Sequence, residues 1–134
     1  MNYFLDANII IYFLNNKYPT IKLRLEDLAP KQVTVPAIVK AELLYGAYKS
    51  NHRQRNEKVV RKFLEVFQIA PFHSSAAESY ATLRSDLENK GNLIGPNDMI
   101  IAATALAANA TLVTNNVKEF RKVSGLKIEN WVET

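Results

Sequence analysis

The sequence predicts an α/β fold, a three-layer sandwich in which a small parallel β-sheet is flanked by helices. Three observations carry that expectation. Short apolar or β-branched runs (N-Y-F-L at 2–5, Q-V-T-V at 32–35, T-L-V-T at 111–114) alternate with longer segments of helical spacing. Strands separated by helices pair in parallel, because only a crossover of helix length returns the chain to the same end of a sheet. With 134 residues, 48% hydrophobic and 22% charged, the chain suits a single domain over 1–134 with one core.

The elements follow in order. N-Y-F-L makes a short strand that runs into a helical pattern from about Ala7 to Asn15. Residues 20–28 look helical, although Ile21, Leu23 and Leu25 also alternate as a strand would, and Pro30 ends the segment. Q-V-T-V is the second strand, and Pro36 opens a helix through about Ser50. Residues 53–66 form a helix with a basic outer face, followed by a strand at 67–70 and a break at Pro71. Residues 75–89 repeat apolar positions at Ala76, Tyr80, Leu83 and Leu87 and end near Gly91. Gly95 and Pro96 then start a helix that is apolar almost all round. T-L-V-T is a buried strand, and a short helix at 117–122 and a strand at 126–129 close the chain.

Several classes are excluded. No cysteine is present, which removes a disulfide framework and thiolate metal sites. The apolar N-terminus lacks a positive leading region and is interrupted by Asp6, so it reads as strand and helix rather than as a signal peptide. No charge-free run approaches the ~20 residues of a membrane span. A cytoplasmic protein without a membrane partner is the expectation.

Charge is uneven along the chain. Residues 49–62 hold six Lys or Arg against one acid, a local +5 that exceeds the +4 of the whole chain. Such a segment attracts polyanions, nucleic acid first, although Lys58, Arg61 and Lys62 also fit a plain solvated helix face. His52 and His73 show no metal-ligand spacing and are expected on the surface. Tyr45, Tyr48 and Tyr80 recur at helical spacings and are expected in the core or at an interface rather than as stacking platforms.

Ligands of parallel α/β sheets bind outside the carboxyl ends of the strands, and the polar residues there single themselves out. Asp6 follows the first strand, with Asn8 two residues on, and Thr114, Asn115 and Asn116 follow T-L-V-T. Asp98 sits in the first turn of its apolar helix, ~40° around the axis from Ala102 and ~20° from Ala105. Glu42 shares the stripe of Ile38 and Tyr45, ~40° and ~60° away. Each has a structural alternative: Asp6 and Asn8 as helix caps, Asp98 as a carboxylate meeting the helix dipole. Glu42 lies beyond the usual cap. Three carboxylates converging without Lys or Arg need a cation or shared protons. An all-oxygen donor set suits Mg²⁺ or Mn²⁺ better than Zn²⁺, and such an ion activates water and neutralises charge on a phosphoryl oxygen. Phosphodiester hydrolysis is the natural chemistry. A phosphate-transferring domain with Asp6 as nucleophile is weaker, because Asn8 stands where a second Asp would be expected.

The ordered segments L-D-A-N, V-P-A-I-V-K-A-E-L-L-Y-G-A, I-G-P-N-D-M-I-I-A-A-T-A-L and A-T-L-V-T-N-N-V-K-E-F resemble those of the PIN-domain ribonucleases, specifically the VapC-type toxins of bacterial toxin–antitoxin pairs. The resemblance runs from Asn2 to about Trp131. It implies a PIN-like fold and a Mg²⁺- or Mn²⁺-dependent endoribonuclease with Asp6, Glu42 and Asp98 as catalytic, metal-holding acids. Asn8 matches the small polar residue after the first acid and Thr114 the hydroxyl residue before the fourth site, both as substrate-binding residues; Thr114 and Asn116, the latter counted with the catalytic residues, complete the polar rim. Asn116 stands where the family commonly has a fourth acid, which puts a second metal site in doubt; Glu119, one helical turn on, is a candidate replacement. Lys49, Arg53 and Arg55 would bind RNA phosphates. The resemblance further implies a homodimer, a cognate VapB-type antitoxin that covers the active site, DNA contact only through that antitoxin, and a structured RNA such as a transfer-RNA anticodon stem-loop as substrate. The alternative is a catalytically weak or inactive nucleic-acid or antitoxin-binding module of the same fold.

Overall fold

A computed structural model describes residues 1–132. Its elements are β1 (Tyr3–Leu5), α1 (Ala7–Leu14), α2 (Pro19–Glu26), β2 (Val33–Pro36), α3 (Ala37–Tyr48), α4 (Arg53–Leu64), β3 (Gln68–Ala70), α5 (Ser74–Asn89), α6 (Pro96–Ala107), β4 (Thr111–Val113), α7 (Val117–Phe120) and β5 (Lys127–Glu129). The five strands pair in parallel in the order β3-β2-β1-β4-β5. The three-layer α/β expectation is met, with element boundaries within a few residues of those read from the sequence.

That strand order positions the site. The chain builds outward from β1 through β2 to β3, then returns to the other side of β1 for β4 and β5. The direction reverses between β1 and β4, and this reversal opens a crevice at their carboxyl ends. Phe4, Leu5, Val33, Val35, Leu112 and Val113 are all buried, as expected of strands covered by helices on both faces.

The helices pack according to their side chains. α6 lies between α5 and the strands β2 and β4, which is why it is apolar all round. Its small residues Ala102, Ala103 and Ala105 are fully buried and let α5 approach closely. The ambiguous segment is helix α2, with Pro19 at its first position. Helical geometry separates i and i+2 by ~200°, so Ile21 and Leu25 turn inward while Leu23 is left 66% exposed. Phe13 of α1 meets Phe63 of α4, which meets Phe67, with ring centroids 5.5 and 5.0 Å apart. At the carboxyl end, Trp131 is buried against Tyr3, and its carbonyl accepts a 2.6 Å hydrogen bond from the Thr20 hydroxyl of α2. Among the described residues no helix is long and apolar enough to cross a membrane.

Candidate active site

The end of β1 delivers the first acid. Asp6 N–H donates to the Val113 carbonyl at 3.0 Å, so the β1–β4 ladder runs one residue past the strand before the chain turns into α1. Asp6 is the N-cap of that helix, and its Oδ1 accepts the Ala7 N–H at 2.8 Å. Its Oδ2 accepts the Thr114 hydroxyl at 2.7 Å. Thr114, fully buried just after β4, anchors its own N–H on the Glu129 carbonyl at 3.0 Å. The Thr114 Oγ1 in turn accepts the Asn116 N–H at 2.9 Å. A relay therefore runs from the Asn116 backbone through Thr114 to Asp6 and fixes the carboxylate. An ionised carboxylate has about four acceptor positions, so Asp6 keeps capacity for a further ligand. With both oxygens already engaged and the residue only 7% exposed, it is badly set up as a nucleophile.

Two helices bring the other acids. Glu42 projects from the second turn of α3 and Asp98 from the first turn of α6, and these helices pack on each other. Asn97 Nδ2 lies 3.5 Å from Glu42 Oε2, a long contact, while Glu42 Oε1 is buried without a partner. An orphaned buried carboxylate oxygen is costly. Burial first, then the negative charges of Asp6, Glu42 and Glu119, push the Asp98 carboxyl up to about 6. Burial also raises Glu42, opposed by the Asn97 hydrogen bond and reinforced by Asp6. Asp6 is raised by burial, with Thr114 and Ala7 pulling the other way.

The three acids singled out by the sequence thus share one electrostatic neighbourhood, in which Asp6 destabilises the ionised forms of Glu42 and Asp98, and Glu42 that of Asp98. Among the described residues, no three acidic or histidine side chains close into a tight metal cage. The arrangement fits an all-oxygen site in which waters complete the coordination, as Mg²⁺ and Mn²⁺ favour. The unpartnered Glu42 Oε1 is the observation that most wants a cation.

The remaining candidates divide. Asn116 joins through its backbone N–H. Asn8 lies exposed on α1. Glu119 is 3.2 Å from Lys122 Nζ, yet its charge is felt at Asp98. Lys49 caps the carboxyl end of α3, with Nζ 5.1 Å from the Tyr45 ring centroid. The Arg53 guanidinium lies 4.2 Å over the Tyr48 ring, whose hydroxyl accepts from Arg61 at 3.0 Å. Arg55 is exposed, as are His52 and His73. An apolar groove of about 410 Å³, lined by Ile11, Leu14, Leu43 and Val59, runs between α1, α3 and α4 and reaches Glu42.

Of the two places expected for Tyr45, core or interface, the structure excludes the core: the residue is 64% exposed. Sequence reasoning also missed the contact of Asn97 with Glu42 and assigned Thr114 to the polar rim rather than to the orientation of Asp6. The one signal for the latter was a hydroxyl directly after a buried strand.

Comparison with known proteins agrees with this geometry. The PIN domain family matches residues 3–126. Ribonuclease VapC2 of Rickettsia felis is 42% identical over 132 residues, 98% of each chain. The tRNA(fMet)-specific endonuclease VapC of Shigella flexneri is 32% identical, again over 98% of each. Among solved structures, VapBC2 from Rickettsia felis bound to a DNA fragment from its promoter contains a chain that superposes with a TM-score of 0.92 at 42% identity, covering 98% of this chain and 99% of that one. DNA-bound VapBC from Salmonella typhimurium gives a TM-score of 0.92 at 34% identity, covering 98% of both. The chain belongs to the PIN-domain family and, within it, to the VapC ribonuclease group.

Proposed function

We propose that this chain is the toxin of a type II toxin–antitoxin pair, a Mg²⁺- or Mn²⁺-dependent endoribonuclease acting on RNA in the cytoplasm. The observation that carries the proposal is the crevice at the β1/β4 reversal, where burial raises the proton affinity of Asp6, Glu42 and Asp98, the charge of Asp6 raises Glu42 and Asp98 further, and Glu42 Oε1 lacks a partner. A divalent ion bound there supplies positive charge to a scissile phosphate and acidity to a bound water.

The chain's own residues do the rest. Asp6, its carboxylate direction fixed by Thr114 and Ala7, and Asp98, in the first turn of α6, offer carboxylate oxygens. Glu42 Oε1 orients the attacking water and accepts its proton. Hydrolysis adds the water oxygen to phosphorus, breaks one P–O ester bond and leaves a proton for the departing oxygen. Glu119 contributes the fourth negative charge in place of Asn116, supported by its effect on Asp98. Lys49, Arg53 and Arg55 hold RNA phosphates along the α3–α4 corner.

The tRNA-specific relative from Shigella flexneri supports a structured transfer-RNA loop as substrate. The DNA-bound VapBC structures support a VapB-type antitoxin as partner in a toxin–antitoxin complex that binds DNA; a toxin homodimer, and DNA contact only through the antitoxin, belong to the same proposal. The apolar groove beside Glu42 suits an antitoxin segment.

The test is cleavage of purified bacterial transfer RNA with Mg²⁺, Mn²⁺ or EDTA by wild type and Asp6→Ala. Discrete cuts that need metal and vanish in the variant are expected. Metal-independent cuts, or equal cuts by the variant, would contradict the assignment. A binding module of the same fold is the second reading, favoured by the amide at Asn116; RNA binding without any metal-dependent cut would select it.

A further inference from the structure

We infer that Tyr45 is a base-stacking platform that makes the enzyme select an unpaired nucleotide beside the bond it cuts. This rests on the ribonuclease reading above and goes beyond phosphate contact to a determinant of substrate choice. Tyr45 lies on α3, three residues beyond Glu42, and Lys49 lies four residues further. Helical geometry sets them ~4.5 and ~10 Å along the axis from Glu42 and within ~60° of it around the helix. Carboxylate, ring and cation therefore follow one edge of one helix. A strand crossing the site presents a scissile phosphate, its neighbouring base and the next phosphate in the same order.

The exposure of the ring is unusual. At 64%, Tyr45 is the most exposed aromatic side chain among the described residues, although a tyrosine carries a large area that gains from burial. Tyr45 is not a wall of the neighbouring apolar groove, whose lining takes Glu42, Leu43, Gly46 and Ala47 from the same helix. A peptide seated in that groove would leave the ring uncovered. The cation beside Tyr45 is Lys49, whose Nζ lies over the ring at 5.1 Å from its centroid; Arg53 and Arg55 follow at the start of α4. Tyr48, one turn on, differs because it is half-buried, with Arg53 closer over its ring at 4.2 Å and Arg61 on its hydroxyl. Tyr45 is thus a largely exposed ring with one cation, Lys49, over it, the combination that binds single-stranded nucleic acid by stacking with phosphate neutralisation.

The experiment uses the full chain carrying Asp98→Asn, which keeps RNA uncut, with two probes: an RNA hairpin bearing 2-aminopurine in its loop, and a fully paired duplex of equal length. Binding is expected to quench the loop fluorophore. Tyr45→Ala should abolish the quench and weaken hairpin binding roughly tenfold, within the range reported for removal of one base–aromatic stack, while duplex binding and the melting temperature stay unchanged. Tyr45→Phe should retain both quench and affinity, since the ring and not the hydroxyl is used. Lys49→Ala should keep the quench but lower the salt dependence of binding. In the catalytically intact chain, Tyr45→Ala should lose selectivity for loop positions. A quench that survives Tyr45→Ala, a Tyr45→Phe variant as weak as Tyr45→Ala, or a loss confined to antitoxin binding would each overturn the inference. Unchanged metal-dependent cutting by Tyr45→Ala would overturn it while leaving the ribonuclease reading intact, whereas absence of any cut by wild type would remove both.

Discussion

The carboxylate crevice and the basic corner share one helix, α3, yet they hold their charges by opposite means. In the crevice, Glu42 is partly buried beside two other acids, one of its oxygens has no partner, and the charge of Asp6 raises the proton affinity of both Glu42 and Asp98. At the corner, Lys49, Arg53 and Arg61 stay in water and lean on the faces or hydroxyls of tyrosines. The crevice is an arrangement the fold imposes against electrostatics; the corner costs the fold almost nothing. Charges destined for chemistry must be desolvated and aimed, whereas charges destined for a polyanion work from the surface. Substitutions in the two regions should therefore act on different quantities.

The largest effect belongs to Asp6. Asp6→Ala removes the carboxylate that Thr114 and Ala7 orient, and cleavage should fall about a thousandfold or more, as expected for several kcal/mol of lost metal assistance; single-turnover rates check this. Thr114→Val comes next. It strips the donor from Asp6 Oδ2 and the acceptor from the Asn116 N–H, so stability should drop about 2 kcal/mol, and metal affinity about 10- to 100-fold, as for other outer-sphere partners. Urea unfolding and Mn²⁺ titration measure the two separately.

Asp98→Asn sharpens the contrast because it should stabilise the metal-free protein. The folded-state pKa of Asp98, about 6, lies above its ordinary value of 3.8. Its ionisation therefore leaves the fold undisturbed below pH ~4 and weakens it progressively as pH rises through about 6. The melting temperature of the variant should match wild type at pH 4 and exceed it at pH 7 without metal, with cleavage abolished. Added Mg²⁺ should reverse the order, since only wild type keeps the full donor set. A variant less stable than wild type at pH 7 without metal would mean that Asp98 is stabilised by its surroundings rather than strained by them.

The smallest effects belong to the corner. Lys49→Ala, Arg53→Ala and Arg55→Ala should each weaken RNA binding several-fold and reduce the salt slope by about 1. Thermal melts should shift little, as exposed cation contacts contribute at most about 1 kcal/mol. A large loss of stability from any of them would show that the corner is structural.

Much of this contrast was legible in the sequence. The strands announced themselves because each is a short apolar run fenced by helices. Asp98 and Glu42 were conspicuous because an acid on an apolar helix face has no structural neighbour to explain it. Three features were hidden, each for a physical reason. The strand order, and with it the reversal beside β1, depends on which side of β1 the chain chooses for β4, and nothing local encodes that choice. The role of Thr114 depends on a hydrogen bond to a residue 108 positions away in sequence. The exposure of Tyr45 is hidden because periodicity identifies a helix face but cannot say whether a given residue on it meets the core or an open surface.

The most direct test of the central claim is anomalous diffraction at the manganese edge from crystals of the full-length protein grown with Mn²⁺. A single strong peak within coordination distance of Asp6 and Asp98, with Glu42 reaching it directly or through a water, is the expected result. A peak elsewhere on the molecule, or none in the crevice at saturating Mn²⁺, would contradict the account.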